Sequence, residues 1–202
     1  MIKHILFDLA GVCMSGLIGV EPEIARHSGA KEDDVRRHLR GEKLDAIFRG
    51  EMSEDGYWDM FINEGGYPLH PDFLKRIVRG NFEEFPETIS IIRKLKGKYP
   101  IALLSDHVRE WIGYIEQNFD FMKLFDQRFY SFDLGYTKRN PLSFRCALKK
   151  WGANPAETFF VDDFKVNLVP AQAAGIKYVH KFVDAPSLEN ALPGMGISLN
   201  GR

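Results

Sequence analysis

The stretch that decides the fold is His4-Ile5-Leu6-Phe7-Asp8-Leu9-Ala10-Gly11-Val12. A short apolar run enters an aspartate, and a glycine follows three positions later. Such a run, bounded by a turn signal, reads as a buried strand of a parallel sheet. In open α/β sheets, ligands sit just beyond the carboxyl ends of the strands. Asp8 therefore stands where a reactive group belongs, and Gly11 lets backbone approach closely. Alone the segment is ambiguous, because an aspartate at a strand end also serves as a turn or helix cap.

Working outward, residues 21–85 lose strand signals and gain helical ones. Pro22 lies near a helix start, and Val35, Leu39, Leu44, Ile47 and Phe48 recur at helical spacing. Ser53 ahead of Glu54 and Asp55 makes a favourable N-terminus. Tyr57, Trp58, Phe61 and Ile62 give one apolar face, and another helix is predicted after Asp72 with Phe73, Ile77 and Val78 inward. From Pro86 onward helices and strands alternate. Ile101 to Leu104 and Thr158 to Val161 are buried strands running into Ser105-Asp106-His107 and Asp162-Asp163. Further strands are predicted over 127–131 and 176–180. Phe144, Ala147, Leu148 and Trp151 mark a helix closed by Gly152. Asn167 reads as a cap of the next helix, with Pro170 in its first turn. No strong pattern follows residue 183. The sum is an α/β chain: a doubly wound parallel sheet built from residues 1–13 and 86–202, with a helical insertion over 14–85. Because the insertion leaves directly after Asp8, it reads as a lid.

Composition narrows the function. With 202 residues the chain holds one domain, or one domain with an insertion. A hydrophobic fraction of 45% supports a proper core. Lys plus Arg (27) nearly equals Asp plus Glu (28), so no global field attracts nucleic acid or an anionic membrane. Two cysteines, Cys13 and Cys146, give no disulfide framework, and no leader or spanning segment is evident. A cytoplasmic protein, monomer or homodimer, is expected.

The strand ends supply Asp8, Ser105, Asp162 and Asp163, and the loop before Pro141 supplies Lys138. Each has an ordinary alternative as a cap or a surface lysine. Together they suit phosphoryl transfer: a carboxylate attacks phosphorus, a Mg²⁺ ion sits among clustered carboxylates, and lysine and serine hold the remaining oxygens.

In those motifs the chain is identified as a member of the haloacid-dehalogenase-like (HAD) hydrolase superfamily over residues 1–182. Phe7 to Val12 resembles the nucleophile loop, and Leu103-Leu104-Ser105-Asp106 the second motif. Leu134 to Pro141 resembles the lysine motif, and Phe160 to Asp163 with Asn167 the acidic one. The inserted helices resemble the family's small helical cap, and residues 132–176 are similar to the α-D-glucose-1-phosphate phosphatase-like branch. The resemblance implies Asp8 as nucleophile and metal ligand. It also implies the Ala10 carbonyl and Asp163 as further Mg²⁺ ligands, with Asp162 bound directly or standing behind them. Ser105 and Lys138 would hold the phosphoryl group, and Asn167 would support the acidic loop. The substrate would be a small phosphorylated, sugar-like metabolite met by Ser105, Lys138, Asp106 and residues 40–48, with Glu42 and Lys43 as contacts.

Two departures stand out. Ala10 replaces the usual acid–base aspartate, and Asp106 stands where asparagine is common; His107 is a candidate substitute proton carrier. Competing expectations are a phosphonatase-type C–P hydrolase, using Lys43 or Lys31 for a Schiff base, and a weakly active regulatory protein. Haloacid dehalogenation fits less well, since that branch has an aromatic where Ala10 stands.

Overall fold

The computed structural model describes residues 1–199. Strand β1 (His4–Phe7) is followed by helices α1 (Glu21–Ser28), α2 (Glu32–His38), α3 (Glu42–Phe48), α4 (Glu54–Gly65) and α5 (Pro71–Gly80). Next come α6 (Pro86–Leu95), β2 (Ile101–Ser105), α7 (Arg109–Asn118), β3 (Gln127–Tyr130) and the single turn α8 (Ser131–Leu134). The chain continues with α9 (Pro141–Trp151), β4 (Thr158–Asp162), α10 (Lys165–Ala173), β5 (Tyr178–Lys181) and α11 (Ala185–Ala191).

The strands form one parallel sheet in the order β3-β2-β1-β4-β5. From β1 the chain builds β2 and β3 outward on one side, then returns to build β4 and β5 on the other. The order therefore reverses between β1 and β4, which opens a crevice at their carboxyl ends. Phe7 pairs with Leu103 of β2 and Val161 of β4, so Asp8 and Asp162 emerge side by side at that crevice.

Successive side chains of a strand point to opposite faces. Ile5, Phe7, Ile101, Leu103, Phe159 and Val161 enter one apolar cluster, while Leu6, Ala102, Leu104 and Phe160 enter the other. The second cluster is closed by α9 and α10 through Phe144, Ala147, Leu148, Leu168 and Ala171. The first takes in α6, α7 and α11 together with Ile24, Val35, Ile47, Trp58 and Leu74 of the insertion. The helical insertion is thus packed as part of the same core.

One buried charge ties it down. The Glu54 carboxylate at the start of α4 accepts from Trp111 Nε1 of α7 at 2.7 Å and from Trp58 Nε1 at 3.3 Å. Arg79 of α5 completes the cage at 2.7 and 3.1 Å. A buried carboxylate is tolerated only when paired and hydrogen-bonded in this way. The segment expected to hang as a lid is held to α7 by this node.

Two local readings need correction. Pro170 lies inside α10, not in its first turn, and Asn167 does not cap that helix; its side chain turns to Asp162. The tail past residue 183 forms α11, opened by a capping box between Asp184 and Ser187 and anchored by Ala185, Leu188 and Leu192. Its apolar face spans only two turns, too short for the periodicity to register. No described helix is long and apolar enough to cross a membrane.

Candidate active site

The loop leaving β1 is a tight turn. The Leu9 carbonyl accepts from the Cys13 and Met14 N–H groups at 2.8 and 3.2 Å, and the Gly11 N–H donates to the Met14 carbonyl at 2.7 Å. Gly11 has φ 83°, and a side chain there would collide with the Asp163 carboxylate. Glycine is therefore required twice over, for conformation and for the close approach of the two loops.

The site is assembled on this turn. Asp8 is buried; its Oδ1 accepts from the Leu9 N–H at 2.6 Å, and its Oδ2 lies 2.5 Å from Lys138 Nζ. The same ammonium donates to Asp162 Oδ2 at 2.7 Å. Asp162 is further held by Asn167 Nδ2 at 3.0 and 3.1 Å and by the Phe164 N–H at 2.7 Å. Its oxygens are thus spent on organising the lysine and the acidic loop. Asp163 differs: its Oδ1 is buried with no hydrogen-bond partner among the described residues.

The electrostatics follow from this crowding. Burial pushes the Asp8 carboxyl well above the ordinary carboxylate range; Lys138 pulls it back, and Asp162 and Asp163 add to the rise. Burial and the Asp162 charge push Asp163 up to about 6. Burial alone would lower the Lys138 ammonium, but Asp162, Asp8 and Asp106 outweigh it and hold it above the usual lysine range. Asp8, Asp162 and Asp163 each offer an oxygen within 4.8 Å of the others. Three carboxylates against one ammonium leave two negative charges uncompensated. An all-oxygen donor set with that excess, and one orphaned carboxylate oxygen, fits a hard divalent cation.

The remaining predicted residues divide. Ser105 ends β2 fully buried, with its Oγ unpartnered among the described residues. Asp106 faces the cleft, but both its oxygens accept from the Lys138 backbone N–H, at 2.9 and 3.1 Å. It anchors the lysine loop, and burial raises its carboxyl to about 6. His107 is no proton carrier in this arrangement. Its ring is buried against Trp111 and Phe82, outside the cleft lining, and burial lowers it to about 4.

Glu42 and Lys43 also fall outside the cleft. Gly41, Leu44, Asp45 and Phe48 line it, at the i, i+3, i+4, i+7 spacing of one helical face. Residues 42 and 43 sit on the other faces of α3, where Glu42 pairs with Arg49 at 2.7 Å and Lys43 with Glu64. The segment 40–48 does reach the site, through Arg40, Gly41, Leu44, Asp45 and Phe48. Sequence reasoning missed Glu21 of α1 and Phe164 and Val166 beyond β4, which line the cleft as well. Only the nearness of the last two to Asp162 hinted at them.

The Asp8 loop, a buried lysine and an acidic pair meet at the switch point of a parallel sheet, the arrangement expected of one class of hydrolase. A family model for haloacid dehalogenase-like hydrolases matches residues 2–175, and the chain belongs to that family. Among curated relatives, it is 26% identical over 181 residues to D-ribitol-5-phosphate phosphatase of Bacteroides thetaiotaomicron, covering 83% of this chain and 86% of that one. An uncharacterised protein of Dictyostelium discoideum is 29% identical over 145 residues, which span 67% of this chain and 61% of that relative's length. Among solved structures, a HAD family enzyme of B. thetaiotaomicron in complex with magnesium and inorganic phosphate superposes with a TM-score of 0.76 at 20% identity, covering 89% and 93% of the two chains. L-2-haloacid dehalogenase of Xanthobacter autotrophicus gives a TM-score of 0.69 at 16% identity, covering 98% and 85%. The chain is a HAD-family hydrolase.

Proposed function

We propose that the protein is a Mg²⁺-dependent phosphatase that hydrolyses a small phosphate ester through an aspartyl-phosphate on Asp8. The observation that carries this reading is the buried Asp8–Lys138–Asp162 triad with the orphaned Asp163 oxygen beside it. The phosphatase name of the B. thetaiotaomicron relative supports the same reaction class.

Asp8, Asp163 and the Ala10 carbonyl would hold the ion, with Asp162 behind them; when bound, it would neutralise charge on the phosphoryl oxygens. Asp8 attacks phosphorus and the ester oxygen departs, which leaves an acyl phosphate on the carboxylate. Lys138 favours the ionised form of Asp8 and orients it, and the Ser105 hydroxyl, buried at the end of β2 outside the cleft lining and unpartnered among the described residues, would donate to a phosphoryl oxygen that reaches it. Water then attacks phosphorus, releases inorganic phosphate and restores Asp8. Ala10 offers no proton to the leaving oxygen, and general acid assistance is typically worth about 10²–10⁴-fold. Esters of less basic leaving groups, such as anomeric, acyl or aryl phosphates, suffer least from that lack.

The phosphonatase alternative needs an amine in the cleft. Lys43 is paired with Glu64 away from it, and Lys31 is exposed at the start of α2. Turnover of p-nitrophenyl phosphate should require Mg²⁺ and fall by roughly 10³–10⁵-fold in Asp8→Asn, a protein that stays folded at the assay temperature. An active Asp8→Asn protein would refute the covalent route.

A further inference from the structure

Asp8 and Lys138 form the floor of a cavity of ≈ 240 Å³ between the sheet edge and the helical insertion. That is near the lower bound for small-molecule sites, so the organic part of the substrate is compact. Much of the wall is hydrocarbon: Leu17, Ile18, Leu44 and Phe48 on the insertion side, Phe164 and Val166 on the other.

The two acidic groups of the wall already have partners within the protein, while the exposed guanidinium groups of Arg40 and Arg139 stand at its rim. Glu21 accepts from the Gly19 N–H at 2.7 Å and faces Arg36 and Arg40 at 3.7 Å. Asp45 pairs with Arg139 at 3.0 Å. A polyol entering here would give up water at every hydroxyl that meets the hydrocarbon wall or the already paired carboxylates, and unmatched polar groups are penalised. An apolar group would lose nothing. It would instead cover Ile18, Phe164 and Val166, which stand 57%, 46% and 52% exposed in the free protein.

A second observation points the same way. Ala10 cannot protonate a leaving oxygen, and a phenolate departs without that help far more readily than a sugar alkoxide.

Building on the phosphatase reading, we infer that the substrate is an aryl phosphate. Its ring lies between Ile18, Leu44 and Phe48 on the insertion side and Phe164 and Val166 on the other, while its phosphoryl group is held by the Asp8–Lys138 floor. The walls select a flat hydrocarbon and the floor selects the dianion. The hydroxyl-rich esters suggested by sequence likeness are then poor ligands.

The test is binding of phenyl phosphate, cyclohexyl phosphate, ribitol 5-phosphate, glucose 1-phosphate and inorganic phosphate to the Mg²⁺-loaded Asp8→Asn protein by calorimetry, alongside wild-type kcat/KM for each ester. Phenyl phosphate should bind at least tenfold more tightly than either polyol ester. Leu44→Ser and Phe48→Ser should each erase about tenfold of that preference while inorganic phosphate binds as before. Ile18→Ser and Val166→Ser, at exposed positions where folding is not at stake, should erase a smaller part. A polyol ester that binds as tightly as phenyl phosphate, a preference for cyclohexyl phosphate, or serine variants with unchanged ratios would overturn the inference and leave the phosphatase reading standing. Failure of wild type to turn over any ester would overturn both.

Discussion

Across the cleft, two surfaces a few residues wide follow different physical rules. On the floor, Asp8, Lys138 and Asp162 are buried and joined at 2.5 and 2.7 Å, each fixed by the end of a strand or the loop beside it. On the wall, Leu44 and Phe48 are only partly buried, carried on the seven-residue α3, and offer no polar atom to a ligand. The floor stores electrostatic energy, because like charges are held together by one ammonium. The wall stores exposed hydrocarbon. Changes to the floor should therefore alter stability and every substrate alike, whereas changes to the wall should redistribute preference among substrates.

The sharpest way to break this contrast is Lys138→Met. Removing one partner of a buried ion pair typically costs about 3–5 kcal/mol, and here three carboxylates would be left facing one another. Denaturant unfolding should show that loss, and added Mg²⁺ should recover part of it by binding the folded state alone. A variant as stable as wild type without metal would mean that the floor is not under electrostatic load.

Next in size is Glu54→Ala, which empties the cage between Trp58, Trp111 and Arg79. Leaving those donors buried should cost about 2–4 kcal/mol. If the node holds the insertion to α7, amide exchange in α4 and α5 should rise before exchange in the sheet does. Uniform loss of protection would make the insertion and the sheet a single cooperative unit.

Asp106→Asn probes the floor more gently. The folded carboxyl titrates near 6, above its ordinary value of 3.8, so the folded state binds the extra proton between those values. Stability from this group is present at low pH and lost as pH rises through about 6. At pH 8 the buried charge should cost up to about 3 kcal/mol, which asparagine removes while one amide oxygen still accepts from the Lys138 N–H. Urea midpoints should favour the variant at pH 8 and converge with wild type near pH 4. A constant difference across that range would contradict the assignment.

The smallest effect belongs to Glu42→Ala and Lys43→Ala. Both ion pairs involve partly exposed surface side chains, so stability should move by less than about 0.5 kcal/mol and substrate ratios not at all. A change in selectivity at either position would place the ligand on a different face of α3.

The floor was legible in the sequence. Asp8, Ser105 and Asp162 each end an uninterrupted apolar run, and such runs mark buried strands wherever they occur. Parallel connections then leave one arrangement of their carboxyl ends. Gly11 and the lysine loop followed from the same local signals. What the tertiary structure decided is how side chains are spent once they arrive. Asp106 turned inward to the Lys138 backbone, and His107 vanished beneath Trp111 and Phe82. Asn167 chose Asp162 over a helix cap, and α3 turns Leu44 and Phe48 toward the cleft with Glu42 and Lys43 away. These choices depend on partners such as Lys138, 32 positions from Asp106, on the packing that closes over a side chain, or on which face a short helix presents to a neighbour, and no local periodicity encodes them. A strand end is fixed by its own residues, whereas a hydrogen bond or a helix face is fixed by whatever the rest of the chain brings against it.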